Sequence, residues 1–218
     1  MQIQTQILTN IQVFEVADSL EKVIQFFKGH AYSHVAVAEK GCYLGVLNED
    51  DLETFEEGKK IEDYRYSLET FFVRKDTNWL DVLETFGRNQ ANLLPVLGES
   101  EDVQGYYSVT DVVSVFIDTP FFNEPGGVLI VEKGIKDYSF SEIVQIVESN
   151  NTRFIGGFIT DIHNDVVQVT IKIGASNLNE IQQTFRRYNY NIIFGTDDDQ
   201  FLEDLKQRSD YLDKYLNV

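Results

Sequence analysis

The sequence predicts a mixed fold of the α+β or α/β class, with two copies of one βαββα unit followed by a βαββαβ domain. Shifting the first half of the chain by 60 positions aligns Leu20 with Leu80 and Gly45 with Gly105, and a constant offset indicates duplication. In the second half, strand and helix patterns follow the order of a split βαβ, ferredoxin-like domain. A chain of 218 residues is long for one core and sufficient for two, because single domains usually have about 100–150 residues.

Each repeat is predicted to begin with a short strand and an amphipathic helix. The strands fall at about residues 11–15 and 71–74, where apolar residues cluster. Asp18 and Asn78 are residue types that commonly cap a helix, and each precedes apolar residues at helical spacing. The predicted buried stripes are Leu20, Val23, Ile24 and Phe27 in the first copy and Leu80, Leu83 and Phe86 in the second.

Two short apolar runs follow each helix, and each pair of runs predicts a β-hairpin. The turns between them contain glycine, which is typical of a hairpin connection. The predicted hairpin strands are residues 34–38 and 43–47 in the first repeat and residues 93–97 and 104–107 in the second. A second helix should close each repeat, over about residues 49–55 and about residues 109–116.

The two hairpin regions resemble CBS repeats, whose pattern is an apolar-Pro-Val strand, a turn, and then Gly-apolar-x-Thr/Ser-x-x-Asp at the start of a helix. The segments are SHVAVAEKGCYLGVLNEDDL at residues 33–52 and NLLPVLGESEDVQGYYSVTDVV at residues 92–113. In the first copy Val35 stands in place of the proline and Asn48 in place of the hydroxyl residue. The second copy matches the pattern at Pro95, Val96, Gly105, Ser108 and Asp111.

This resemblance implies a pseudo-symmetric pair of repeats that binds an adenosine-containing ligand in the cleft between them. In similar CBS pairs the serine or threonine contacts phosphate and the aspartate holds the ribose. The implied nucleotide-binding residues are Gly105, Ser108, Thr110 and Asp111 in the second repeat and Asn48 and Asp51 in the first. The spacing of Ser108 and Asp111 also fits a capping box, in which both side chains bond to the helix N-terminus. Both interpretations remain open at this point.

The first-repeat motif differs in charge, because Asn48 is followed by the consecutive carboxylates Glu49, Asp50 and Asp51. Each carboxylate would oppose a phosphate at ~4 Å by about 4 kcal/mol at an effective dielectric of about 20. We expect this first site to be empty, or to take a nucleoside or a metal-bridged ligand. The ligands that the resemblance suggests are AMP, ADP, ATP or S-adenosylmethionine, with Mg²⁺ as a bridging ion, and no cofactor is certain.

The second half resembles an ACT domain, and a CBS pair followed by such a domain is similar to CBS–ACT proteins, including the acetoin-utilisation family. Residues 166–173 alternate between apolar and polar side chains, which is typical of a strand with one face against a core. Phe201, Leu205, Leu212 and Leu216 have helical spacing, so the end of the chain predicts an amphipathic helix. The predicted domains are a CBS pair at 1–120 (repeats at about 5–58 and 61–118), an ACT-like domain at 121–196 and a C-terminal helix at 197–218.

Charge and composition exclude several classes of partner. The chain has 18 basic and 36 acidic residues, a formal charge of −18, and no basic patch that could displace counterions from a nucleic acid or bind an anionic membrane. The single cysteine, Cys42, lies in an apolar run and is expected to be buried in a reducing compartment. The sequence shows neither a signal peptide nor a membrane span, so we expect a cytoplasmic protein.

These observations predict a regulatory ligand sensor that forms a homodimer, in which the ACT-like domain serves dimerisation or signal relay. The alternative is a ligand-free dimerisation or scaffold module that acts on a protein partner. An enzyme is the least favoured class, because no catalytic motif is present. The histidines His30, His34 and His163 lack metal-ligand spacing, and His34 is expected to be a hydrogen-bonded structural residue within a strand.

Overall fold

Two units make up the fold in a computed structural model, which describes residues 3–56, 58–175 and 178–195. They are Met1–Ile117 and Asp118–Val218. Both units combine helices with sheets, and the predicted α+β class is confirmed. The predicted helix at 197–218 lies outside the described residues.

The first unit contains two three-stranded sheets, one from each repeat. In each sheet a two-residue strand runs parallel to the first strand of an antiparallel hairpin. The elements are β1 (Phe14–Glu15), α1 (Leu20–Gly29), β2 (His34–Glu39), β3 (Cys42–Asn48), β4 (Val73–Arg74), α2 (Trp79–Arg88), β5 (Leu93–Leu97), β6 (Val103–Ser108) and α3 (Val109–Ile117). Both hairpins are confirmed with strand ends shifted by no more than one residue. Cys42, predicted to be buried, is instead exposed, because it opens β3 at the hairpin turn.

The two repeats correspond at an offset of 59 residues before the hairpin turn and 60 after it. β1 and β4 show the first value, because Phe14 pairs with Val37 and Val73 pairs with Val96. The turn of the second repeat is one residue longer. Four residues separate Ala38 from its partner Tyr43, whereas five residues separate Leu97 from its partner Val103. A uniform offset of 60 is therefore wrong for everything before the turn.

This shift corrects the predicted face of α2. Of the predicted stripe, Phe86 is buried and Leu83 is partly buried against the core, but Leu80 is 58% exposed. Val82 is buried in its place, so Val82 and Phe86 correspond to the buried Val23 and Phe27 of α1. The N-cap of α1 is likewise Ser19, the equivalent of Asn78, and not Asp18. The Asn78 side chain accepts hydrogen bonds from two helix amides, as predicted. For the same reason the proline position of the first repeat is occupied by Ala36, which pairs with Val46 as Pro95 pairs with Tyr106, and not by Val35.

The closing helix predicted over residues 49–55 is wrong, because this segment forms only a 3₁₀ turn at Asp50–Thr54. No residue of the turn is buried, and a short helix in water requires an apolar face packed on a core. Its carboxylates also repel one another, since the first basic residue after Asn48 is Lys59. The second repeat has the predicted helix, α3, with Val112 buried.

The cores of the two repeats interlock within the first unit. Leu93 and Tyr106 of the second repeat belong to the core around α1, and Val46 of the first repeat belongs to the core around α2. The Tyr106 hydroxyl accepts from the amide of Ala36 at 3.1 Å and donates to the carbonyl of Gln12 at 2.9 Å. The repeats are therefore structurally coupled.

The second unit contains a four-stranded antiparallel sheet in which the first and third strands along the chain are central, the arrangement of a ferredoxin-like domain. As predicted, Val167, Val169, Ile171 and Ile173 alternate into the core. The elements are α4 (Pro120–Asn123), β7 (Gly126–Gly134), α5 (Phe140–Ser149), β8 (Phe154–His163), β9 (Val166–Gly174), α6 (Leu178–Arg187) and β10 (Asn191–Gly195). Among the described residues, no helix has the length and hydrophobicity needed to cross a bilayer.

Candidate functional site

The two sequence motifs meet at a junction between Ser33 and Asn92, which hold equivalent positions in the two repeats. The Ser33 amide donates to Asn92 Oδ1 at 2.8 Å, and the Asn92 amide donates to Ser33 Oγ at 2.9 Å. Their carbonyl groups accept from the residues that follow each motif strand, Glu49 at 2.9 Å and Val109 at 3.0 Å. The junction therefore connects the start of both candidate sites.

The second-repeat candidate site lies where β6 passes directly into α3. Ser108 ends the strand, and Thr110 and Asp111 fall in the first turn of the nine-residue helix. Ser108 and Asp111 are partly buried and Thr110 is exposed. Within the described part of the chain, none of these three side chains makes a hydrogen bond, so the bonds of a capping box are not formed. The hydroxyl and carboxylate groups remain available to a ligand.

Gly105 forms a buried part of the strand next to this site. Its φ is +151°, and a Cβ there would lie 2.5 Å from the carbonyl oxygen of Leu8. Leu8 and Tyr106 exchange backbone hydrogen bonds of 2.8 and 2.9 Å. Gly45 is equivalent, since a Cβ there would lie 2.6 Å from the carbonyl oxygen of Glu69. In both repeats the motif glycine allows a flanking segment to pair closely with the hairpin.

The first-repeat candidate site opens onto a cavity of about 290 Å³. Asn48 lines this cavity, but its Oδ1 accepts from the Asp50 amide at 3.1 Å and its Nδ2 contacts Glu69 Oε1 at 3.4 Å. The predicted residue Asp51 does not line it. The residues that line it include Ser33, His34, Asn48, Asp50, Glu69 and Arg88.

His34 lines the same cavity, and it lies in a strand with one ring nitrogen hydrogen-bonded, as expected, but its other ring nitrogen has no partner among the described residues. Its side chain is 2% exposed, its Nδ1 lies 2.8 Å from Ser33 Oγ, and its Nε2 makes no hydrogen bond with the described residues. Burial lowers the pKa of His34, while the nearby carboxylates of Glu69, Asp50 and Asp51 oppose this shift. The position was identifiable in the sequence, since the second repeat has apolar Leu93 there.

A larger cavity, of about 780 Å³, lies beside the ends of β4 and β5 and is bounded by Arg74 and Gly98 among others. The Arg74 guanidinium donates to the Gly98 carbonyl at 2.8 Å and pairs with Glu101 at 2.5 Å. None of the predicted site residues lines this cavity. Across the described ranges, no group of three or more His, Cys, Asp or Glu side chains is placed to hold a metal ion.

No protein-family model and no curated protein matches the chain. Similar solved structures include a CBS domain pair/ACT domain protein from Thermotoga maritima, with 20% identity and a TM-score of 0.49 over 54% of this chain and 98% of that one. The CBS domains of a transcriptional regulator from Streptococcus pneumoniae have 14% identity and a TM-score of 0.47 over 52% and 98%. CBSX2 in complex with AMP has 18% identity and a TM-score of 0.44 over 53% and 96%.

Proposed function

We propose that the chain is a regulatory module whose paired repeats bind an adenosine-containing ligand at the start of α3. The observation that carries this proposal is the placement of Ser108, Thr110 and Asp111 at a helix N-terminus, where none of their side chains bonds to the described chain. A helix N-terminus presents free N–H groups and the positive end of its dipole, which together favour a phosphate.

Each of these residues has a distinct role in the proposed complex. The hydroxyl groups of Ser108 and Thr110 donate to phosphate oxygens together with the amides of α3 that follow Val109, because the Val109 amide already donates to the Asn92 carbonyl at 3.0 Å. The Asp111 carboxylate accepts hydrogen bonds from the ribose hydroxyls, as the resemblance to CBS repeats implies. Gly105 keeps the neighbouring strand free of a side chain, so that Leu8 stays in place beside the site.

The ligand class follows from the same geometry. AMP, ADP and ATP carry the phosphate that the N-terminus of α3 favours, whereas S-adenosylmethionine carries none. Because the formal charge of the chain is −18, we expect Mg²⁺ to assist binding of a di- or triphosphate. Asn48 and Asp51 in the first repeat are not equivalent to this site, because the Asn48 side chain bonds locally and Asp51 lies outside the cavity.

Regulation would act through the coupling of the two repeats. They share core residues, and their candidate sites meet at the bonds between Ser33 and Asn92. A ligand that prefers one packing of the pair shifts the population toward it. In this proposal the protein acts without a catalytic step, as a cytoplasmic homodimer, and its ACT-like domain serves dimerisation or signal relay.

The alternative function, a scaffold that acts on a protein partner, is favoured by one feature of the second unit. Strand β8 is an edge strand, and its Phe158 and Ile162 side chains are 50% and 56% exposed. Ile193 and Phe194 of β10, at the other edge, are also exposed. Apolar side chains on unpaired strand edges are typical of surfaces that associate with another chain.

A thermal-unfolding screen separates these two functions. The ligands are AMP, ADP, ATP, S-adenosylmethionine and free amino acids, each with and without Mg²⁺. A ligand present at 100 times its Kd stabilises the folded state by about 2.7 kcal/mol. Each kcal/mol of stabilisation raises Tm by roughly 2–4 °C for a chain of this size. We expect at least one adenosine compound to raise Tm and free amino acids to have no effect. An unchanged Tm with every adenosine compound would favour the scaffold.

A further inference from the structure

We propose that the 290 Å³ cavity of the first repeat binds a small organic cation, whose N–H groups donate simultaneously to His34 Nε2 and to the Glu69 carboxylate. This cavity lies beside β2, the end of β3 and the C-terminal end of α2. It is distinct from the helix N-terminus of the second repeat, because Ser108, Thr110 and Asp111 do not line it.

The hydrogen bonds around Ser33 determine which atom of neutral His34 carries the proton. The Ser33 hydroxyl is 3.1 Å from Asn92 Oδ1 and donates to it. The side-chain amide of Asn92 is oriented by a 2.8 Å hydrogen bond from its Nδ2 to the Ala31 carbonyl. Since the Ser33 proton is used in this way, Ser33 Oγ accepts from His34 Nδ1 at 2.8 Å. Assigned from this network, the Nε2 atom carries a lone pair.

That lone pair faces a second acceptor across the cavity wall. His34 Nε2 lies 3.5 Å from Glu69 Oε1, too far for a good hydrogen bond, and it is buried without any other partner among the described residues. A buried acceptor without a donor is unfavourable. A ligand nitrogen with two or more N–H groups, placed beside the two atoms at about 2.9 Å from each, would donate to both of them.

The charges around the cavity favour a cationic donor. Asp50 and Glu69 line it, and Asp51 is close enough to influence the charge of His34. The one cation in the lining, Arg88, is paired with Glu84 at 2.6 Å. Burial favours the neutral form of His34, so the imidazole does not compete for the carboxylates. The net charge facing the ligand is therefore negative.

Size and asymmetry narrow the ligand class further. A volume of about 290 Å³ is at the lower end of small-molecule pockets, which usually enclose about 300–1,000 Å³. A phosphate would meet the carboxylates at close range, which excludes a nucleotide on charge. The second repeat has Leu93 in place of His34, so this recognition is specific to the first repeat. Small aliphatic amines and guanidines have the required size, charge and donors.

Calorimetric titration at a pH of about 8, above the ordinary histidine pKa, tests this inference. The probes are putrescine and agmatine, with 1,4-butanediol as the uncharged equivalent of putrescine. The variants are Glu69→Gln and, as a matched control, Glu62→Gln, an exposed carboxylate outside the cavity. We expect at least one cationic probe to bind the wild-type chain and the Glu62→Gln variant equally, and to bind the Glu69→Gln variant about tenfold more weakly or worse. Butanediol should not bind.

Failure of both cations to bind the wild-type chain would overturn the inference, as would equal affinity for the two variants or for butanediol. A second measurement on the wild-type chain covers the case in which Glu69→Gln does not fold. The chain has three histidines, so the ¹⁵N resonances of their rings are separable. The cationic probe should shift the Nε2 resonance of His34 and leave those of His30 and His163 unchanged. An unchanged His34 resonance would contradict binding at this site.

Discussion

His34 and Leu93 occupy equivalent positions in the two repeats, each as the first residue of a hairpin. His34 pairs with Asn48, and Leu93 pairs with Ser108. Both side chains are buried, but Leu93 has no polar atom to satisfy, whereas His34 has an Nε2 without a hydrogen bond among the described residues. The first repeat thus keeps a titratable group where the second uses apolar packing.

The substitution His34→Leu should reduce the pH dependence of stability. Burial lowers the pKa of His34 below its ordinary value of 6.5, against the opposing effect of Glu69. The unfolded chain therefore takes up the proton first, so this contribution to stability is complete above pH 6.5 and is lost as the pH falls below it. One proton changes the free energy of unfolding by at most about 1.4 kcal/mol per pH unit.

Denaturant unfolding of the wild-type and His34→Leu chains above and below pH 6.5 measures this effect. We expect a smaller loss of stability at the lower pH for the variant. The control is His163→Gln, which removes a histidine whose ring is 44% exposed rather than buried. Identical pH profiles for His34→Leu and the wild-type chain would contradict the burial of a neutral imidazole.

The substitution Asn92→Ala should destabilise the first unit. It removes the acceptor of the Ser33 amide and the donor to the Ala31 carbonyl, and leaving such partly buried groups unpaired costs about 1–3 kcal/mol. Chemical denaturation measures the loss. Asn10→Ala, at an exposed position, is the control and should change stability by less than about 0.5 kcal/mol. Equal effects of the two substitutions would show that the junction contributes nothing.

The substitution Gly105→Ala should also be destabilising, because its Cβ would lie 2.5 Å from the backbone of Leu8 and its φ is +151°. Gly87→Ala is the matched control. Gly87 lies within α2 with no atom within 4 Å of an added Cβ, so alanine should stabilise the helix by about 0.5–1 kcal/mol. Opposite changes in Tm are expected. A neutral Gly105→Ala variant would show that the Leu8 segment does not need this close approach.

Alanine substitutions of side chains in α2 test the offset between the repeats. Val82→Ala removes two fully buried methyl groups and should cost roughly 1–2 kcal/mol. Leu80→Ala removes more apolar atoms, but from a side chain that is 58% exposed, so its cost should be smaller. Unfolding free energies of the two variants measure this order. The reverse order would support the uniform offset of 60 residues.

Repeats, hairpins and the α3 motif were predictable because each depends on local patterns: apolar strands, glycine turns and helix-starting residues. The face of α2 was not, since the one-residue difference between the hairpin turns becomes visible only when strand partners such as Val96 and Gly105 are known. The missing helix after Asn48 depended on burial, which the acidic sequence does not show by itself.

The candidate sites were likewise predictable only in part. Ser108 and Asp111 followed from their spacing, but whether they cap α3 or stay available depended on atomic positions. His34 could be singled out in the sequence, but the state of its ring depends on a hydrogen-bond network. His34 Nδ1 contacts Ser33 Oγ, and Ser33 contacts Asn92 of the other repeat, so Nε2 is left without a partner among the described residues. Such a junction has no local signature.

The most direct test of nucleotide binding at α3 is calorimetric titration of AMP into the wild-type chain and the Asp111→Ala and Asp51→Ala variants. Asp111 makes no hydrogen bond within the described residues, so its loss should leave folding intact and remove only the proposed bonds to ribose. We predict that Asp111→Ala weakens AMP binding about tenfold or more, whereas Asp51→Ala leaves the affinity unchanged. Equal affinity losses in both variants, or no binding of AMP to the wild-type chain, would contradict this assignment.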